Sequence, residues 1–402
     1  MIKTAISHVL IISPYRYLGD DIGSGTFIHS QAFGLKKHIS KIGVIAPSPK
    51  VYRGLNLVMT IKSFFTFWLD FKIEDGVSVI RFNGLFWMTS RIPFFSLSYW
   101  CLIGFIQYLI YVYKYGKPEI IHAHDSIYAG ELALVLKRLF KIPVVITEHN
   151  SNLTEKNTKY LVNKKRTILY KANLVLMVSN NLYKIHKEHG CIVESKTFVV
   201  PNVLDPHREI DFEMKKNTRA LGENFKFIHV SHMTKIKNLD SLLNGFTLFL
   251  KKYPSAELVL VGSGFYLEKL KLIALENGIW DKVKFVGRKN PNEIIEYYKE
   301  SNVFILTSFY ETFGYVLIEA MSMGLPVIAI KNSGGPDEIV NDYVGVLADS
   351  PGYEDVFKSM TRIYENYQDF NSVTIKHYCA SKYSSEVVIP KIIKFYDQLK
   401  IK

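Results

Sequence analysis

Short apolar runs alternate with longer mixed segments along this 402-residue chain, and the alternation starts twice. The first half holds runs at Ser7 to Ser13, Lys41 to Ala46, Val77 to Phe82, Ile120 to His124, Val144 to Glu148, Leu174 to Ser179 and Thr197 to Val200. The rhythm resumes at Phe225 to Ser231, Glu257 to Val261, Val283 to Val286, Val303 to Thr307 and Pro326 to Ala329. Runs of this kind suit parallel strands buried on both faces, and the longer segments between them suit crossover helices. Two Rossmann-like, doubly wound α/β domains are therefore predicted, over residues 1–200 and 201–382, with the joint near Pro201-Asn202 and the charge-rich stretch Asp205 to Glu223. No residue-level repeat is present, which excludes a solenoid. Ligands of such sheets gather outside the carboxyl ends of the strands, so the segments that follow strands are where chemistry is expected.

Composition narrows the function classes. A hydrophobic share of 48% excludes a disordered tail protein. Cys101, Cys191 and Cys379 are scattered and form no C-x-x-C pair, which argues against a disulfide scaffold or a zinc knuckle and makes the cytoplasm the default compartment. Fifty Lys and Arg against 37 Asp and Glu give a formal charge of +13, but the lysines are dispersed and leave no basic stripe for nucleic acid. A peripheral contact with a membrane is the better expectation. Ile92 to Tyr113 carries no charge, and three placements stay open for it: a helix on a domain with an aromatic side toward lipid headgroups, plain core, or a true span. The aromatic run Ile61 to Phe71 has no periodicity that settles its place.

The segment Thr307 to Ala329 holds the most chemistry. A strand ends at Thr307-Ser308, a loop carries Glu311, Phe313 and Gly314, and a helix pattern runs from Tyr315 to Met323. A loop carboxylate such as Glu311 can contact sugar hydroxyls, and amides at Gly314, Tyr315 and Val316 can hold a phosphate at the helix start. Glu319, about one turn into the helix, is placed to grip a diol such as a ribose. The bland alternative makes both glutamates solvent-facing residues of an amphipathic helix. In the first half, Gly23-Ser24-Gly25-Thr26-Phe27 follows a strand and precedes a helix pattern, where glycine lets backbone approach a ligand. His122 and His124 lie two apart at the end of a strand and share one face; the deeper His122 reads as a core residue. His149 repeats the geometry after the next strand and reads as an acceptor-side residue. No histidine–carboxylate spacing of a known metal site appears.

The two glutamates eight residues apart resemble the E-x7-E signature of glycosyltransferase family four, the retaining GT-B enzymes. The likeness extends over nearly the whole chain. It includes Val230 to Leu239, the glycine turn Gly262-Ser263-Gly264, Phe285-Val286-Gly287 and Ser333-Gly334-Gly335-Pro336-Asp337-Glu338. It implies two domains facing a central cleft, a nucleotide-diphosphate sugar donor with no further cofactor and no metal, and retention of anomeric configuration. Lys237 matches the family lysine that neutralises the diphosphate, and His232 stands where the family usually has arginine, so either His232 is charged when donor binds or Lys235 substitutes. His124 matches the histidine that contacts the transferred sugar. Residues 383–402 resemble the C-terminal helix that crosses back to the first domain, with a kink expected at Pro390. The expected reaction is sugar transfer to a lipid-linked or other glycan acceptor in cell-surface polysaccharide synthesis, at the inner face of the cell membrane. A GT-B nucleotide-sugar epimerase and a non-catalytic GT-B scaffold are the alternatives.

Overall fold

The structure is a computed structural model that describes residues 4–15, 25–48, 69–82, 93–150, 159–205 and 225–400. Gly23, Ser24, residues 61–68 and nearly all of the charge-rich stretch after Asp205 lie outside the described residues. The chain divides into two compact units, Met1–Val203 with Ser385–Lys402, and Leu204–Ser384.

In the first unit the strands are β1 (His8–Ile12), β2 (Lys41–Ala46), β3 (Leu69–Glu74), β4 (Val77–Phe82), β5 (Ile120–His124), β6 (Val144–Glu148), β7 (Leu174–Met177) and β8 (Thr197–Val199). They form one sheet in the order β3-β4-β2-β1-β5-β6-β7-β8, parallel except for the β3–β4 pair. β1 is buried along its whole length, as a central strand covered on both faces must be. Strand β3 was not expected. It alternates apolar and charged residues at the sheet edge and returns through Asp75 and Gly76, both at positive φ. A two-residue Asp-Gly loop with that backbone is the tight turn favoured in hairpins.

The helix Pro93–Tyr115 packs on this sheet. Its aromatic weight goes inward: Trp100, Tyr108 and Tyr111 are buried, and the outward face is carried by Leu102, Leu109 and Tyr113. Among the described side chains that outward face is therefore mixed, with two leucines and the highly exposed ring of Tyr113. Gly43 makes the docking possible, because a Cβ there would stand 2.1 Å from the Tyr111 ring. Tyr111 in turn shares a 2.7 Å hydrogen bond with His8 Nε2, and Gln107 Nε2 donates to the carbonyls of Ala46 and Ile80. Among the described residues no helix is long and apolar enough to cross a membrane.

The last helix, Ser385–Lys400, continues through Pro390. It buries Val388, Ile389, Ile392, Ile393 and Tyr396 in the core of the first unit. It lies close against the helix Thr26–Lys36, where a Cβ on Gly34 would meet Ile389 at 2.7 Å. Tyr396 shares a 2.5 Å hydrogen bond with Nδ1 of His122, and Gln31 Nε2 stands 3.2 Å from the same nitrogen. His122 is thus a satisfied core histidine, with Nε2 bonded to Thr147 Oγ1 at 2.7 Å. Tyr396→Phe is expected to cost only about 1 kcal/mol, because the Gln31 amide still serves Nδ1 and no buried group is orphaned. Urea unfolding checks this, and a loss above about 3 kcal/mol would show that Gln31 cannot take over.

The second unit holds β9 (Lys226–Val230), β10 (Glu257–Val261), β11 (Val283–Gly287), β12 (Val303–Leu306), β13 (Val327–Ile330) and β14 (Gly345–Ala348). All are parallel, in the order β11-β10-β9-β12-β13-β14. Each sheet reverses its winding once, between β1 and β5 in the first unit and between β9 and β12 in the second. These are the topological switch points outside which doubly wound sheets bind ligands.

Candidate active site

Lys237 follows β9 and Glu311 follows β12, so they flank the switch point of the second unit. Lys237 Nζ donates to Glu311 Oε1 at 2.7 Å, and Ser308 Oγ donates to the same oxygen at 2.7 Å. Among the described residues nothing donates to Oε2, which leaves one carboxylate oxygen available to accept hydroxyls. One main-chain and one side-chain tie hold the loops together: Phe309 N donates to Ile236 O at 2.9 Å, and Thr307 Oγ1 donates to Lys237 O at 2.9 Å. On the far side, Glu311 N donates to Ser333 O at 2.8 Å and Gly335 N to Glu311 O at 2.9 Å. Gly335 is required for that approach, since its Cβ would lie 2.4 Å from the Phe313 backbone.

Gly314 sits at φ +91 and opens the helix Tyr315–Ser322 with no side-chain cap. A helix start without a side-chain cap favours an anion through its amide dipoles. Phe313 is buried and meets Tyr383 edge-on, while Tyr315 and Val316 are half-buried. Glu319 is only 7% exposed and accepts from Tyr298 Oη at 3.3 Å, so it is a buried carboxylate and not a solvent-facing one. His232 and Lys235 are both exposed. A different histidine, His229, is buried at the end of β9, shared between Ile305 O and Ser231 Oγ at 2.7 Å each.

In the first unit, Gly25 follows β1 and His124 ends β5, on either side of that sheet's switch point. Gly25 takes φ +85 at the start of Thr26–Lys36 and lies against Tyr15. His124 Nδ1 and His149 Nε2 share a 2.8 Å hydrogen bond, and the ring of His124 stacks between those of His122 and His149. Burial holds all three imidazoles far below their usual range, so they are neutral at physiological pH. The Nε2 of His124 is buried and has no hydrogen-bond partner among the described residues. Beneath the pair lie Asp125, Glu148 and Lys165, all buried. Burial and then the neighbouring Glu148 push Asp125 up; burial also pushes Glu148 up, but the Lys165 ammonium, the other groups around it and hydrogen bonds from Ser126 and Asn150 together outweigh it and hold Glu148 low.

The structure thus brings together Lys237, Glu311 and the Gly314 helix start in the second unit, and His124 with His149 in the first. Ser308, Tyr298, Tyr15, Glu148 and Lys165 were not singled out from the sequence. A Ser three residues before a loop carboxylate is too common to signal anything, but a lysine amid the apolar positions of a helix, as at Lys165 beside Ile168 and Leu169, is a usable warning of a buried charge. Among the described residues no group of three or more His, Cys, Asp or Glu is placed to hold a metal ion.

The family model described as Glycosyltransferase Family 4 matches residues 63–208, and that described as Glycosyl transferases group 1 matches residues 210–376. The chain belongs to this family of GT-B glycosyltransferases. An uncharacterized glycosyltransferase of Methanocaldococcus jannaschii is 27% identical over 322 residues, covering 76% of this chain and 77% of the relative. An alpha-monoglucosyldiacylglycerol synthase of Streptococcus pneumoniae is 29% identical over 272 residues, covering 61% of this chain and 60% of that enzyme. Among solved structures, Anabaena HepE in complex with UDP-glucose superposes with a TM-score of 0.69 at 16% identity, covering 98% of this chain and 99% of that one. At such identity the likeness speaks for the GT-B fold alone.

Proposed function

We propose that this glycosyltransferase moves a sugar from a nucleoside diphosphate donor to an acceptor hydroxyl with retention of configuration. The observation that carries this reading is the Lys237–Glu311 pair, set at a switch point beside the uncapped start of Tyr315–Ser322. An ammonium and a helix start together suit a diphosphate, and the open Oε2 of Glu311 suits hydroxyls of the hexose. Glu319 is assigned to the ribose, His124 to the transferred sugar and His149 to the acceptor side. In the reaction the bond from the anomeric carbon to the leaving phosphate oxygen breaks and the bond to the acceptor oxygen forms. The acceptor's proton passes to the leaving diphosphate, so neither a metal nor a further cofactor is invoked. Support for the donor class comes from the UDP-glucose bound by HepE.

The acceptor is read as a lipid-linked glycan of cell-surface polysaccharide, such as lipopolysaccharide, met at the inner face of the membrane. Leu102, Leu109 and Tyr113 expose an apolar helix face, the chain carries +13, and the pneumococcal relative is named for a glycolipid product. A panel of sugar nucleotides read by thermal shift tests the donor, because a ligand that binds only the folded state raises its midpoint. The anomeric configuration of the product from the best donor tests retention. Binding to anionic liposomes tests the membrane contact, and a chain that ignores liposomes and glycosylates only soluble acceptors contradicts it.

A further inference from the structure

Two carboxylates at neighbouring strand ends hold each other's loops in the first unit. Asp125, just past β5, accepts the main-chain N–H of His149 at 3.0 Å through Oδ1. Glu148, the last residue of β6, accepts the main-chain N–H of Ser126 at 3.2 Å through Oε2. Each carboxylate thus fixes the backbone beside the other's histidine. Lys165, on the helix Lys159–Lys171, closes the arrangement: Nζ lies 3.3 Å from Glu148 Oε1 and donates to Asn150 O at 2.8 Å. Asn150 Nδ2 and Tyr15 Oη donate to Asp125 Oδ2 at 2.9 and 3.2 Å. The loop so held is a strained one, with Asp125 at φ +67 and Tyr128 at φ +65, and such backbone persists only where surrounding contacts over-determine it.

We propose that Asp125, Glu148 and Lys165 are positioning residues that preset the His124–His149 pair, and that they do so only while one of the two carboxyls carries a proton. Two buried carboxylates facing one ammonium leave an uncompensated negative charge, which a low-dielectric interior does not tolerate. His186, the other titratable group against Glu148, is held neutral by burial and cannot supply the missing charge. His149 is likewise neutral, and Tyr15 keeps its proton throughout because burial and Asp125 raise it far above the working range. The proton is assigned to Asp125, whose carboxyl is pushed up by burial and by the facing Glu148. When it leaves, the brace repels itself, the two loops part, and the 2.8 Å contact between the imidazoles is lost. The consequence for turnover rests on the reading of His124 as the residue that meets the transferred sugar.

The test uses the full chain labelled with 15N at its histidine rings. In the wild type the ring nitrogens of His124 and His149 are expected to shift together with one alkaline midpoint. Asp125→Asn, which mimics the protonated carboxyl, is expected to abolish that midpoint. Lys165→Met is expected to move it upward, since an ammonium that favours the charged carboxyls is gone, and Lys165→Arg to restore it. Identical ring shifts in wild type, Asp125→Asn and Lys165→Met overturn the proposal, and Asp125→Asn decides alone if Lys165→Met does not fold. With the best sugar nucleotide of the thermal-shift panel, wild-type kcat is expected to fall about tenfold per pH unit above the midpoint, whereas Asp125→Asn stays flat. The ring spectra need no donor. If His124→Ala keeps full turnover while the spectra behave as stated, the sugar-contact reading fails and the brace stands; if His124→Ala is inactive but the spectra do not respond, the brace fails.

Discussion

Lys237→Met is expected to lower donor turnover by about two to three orders of magnitude while leaving the fold nearly as stable as before. In the proposed reaction Lys237 is a preorganised positive donor aimed at the charge that develops on the leaving group, and removing such a donor typically costs this much in kcat. The small effect on stability follows from what remains at Glu311. That carboxylate is 15% exposed and still accepts from Ser308 at 2.7 Å, so losing the ammonium does not leave it dry and alone. Nor does the ion pair block the donor. An ammonium has three donors, Glu311 takes one, and the Lys237 side chain keeps 22% of its surface exposed for phosphate oxygens to approach. Steady-state kinetics with the best sugar nucleotide and a thermal melt of the free protein separate the two effects. Wild-type kcat in Lys237→Met would remove this lysine from the reaction, and a melting collapse without donor would recast the pair as structural.

The sheets were legible because parallel strands buried on both faces write themselves as unbroken apolar runs. β2, β4, β5, β6 and β10 begin and end where the sequence places them. β3 and β14 were missed for different reasons. β3 lies at an edge and mixes Asp70, Lys72 and Glu74 with apolar residues, so only the Asp75-Gly76 turn betrays it. β14 opens on Gly345, which interrupts the apolar run that marked strands of the same length such as β12 and β13. At the candidate site, position after a strand singled out Glu311 and His124, whereas Lys237 and the sugar-contact role of His124 came from the family resemblance. The partners that fix those side chains were not legible. Glu148 and Lys165 act through contacts between separate segments, such as the 22 residues from Ser126 to Glu148, whereas Ser308 stands three residues from Glu311 in a spacing too common to mark it.

Gly262→Ala is expected to be among the most damaging single-methyl changes in the second unit, and Gly278→Ala among the mildest, although both glycines sit at positive φ. Gly262 has φ +136, where an L side chain is strained, and its added Cβ would stand 1.8 Å from the Ser231 carbonyl oxygen. That neighbour is backbone and cannot turn aside. Strained backbone costs about 1–3 kcal/mol and overpacking about as much again, so a loss of about 2–6 kcal/mol is expected. Gly278 has φ +68 with nothing within 4 Å of the added carbon. There the left-handed penalty of about 1–2 kcal/mol is partly offset by a stiffer unfolded chain, leaving about 1 kcal/mol or less. The contrast also reaches the site. Ser231 N donates to Val261 O at 3.1 Å and Met233 N to Ser263 O at 3.0 Å, so the turn after β10 props the segment that leads into Lys237. Pushing Ser231 away therefore weakens the thermal shift given by sugar nucleotides as well as the fold, whereas Gly278→Ala leaves that shift intact. Equal unfolding midpoints for the two variants would mean that the close packing of Gly262 on Ser231 has no energetic weight, and that the placement of Lys237 does not depend on it.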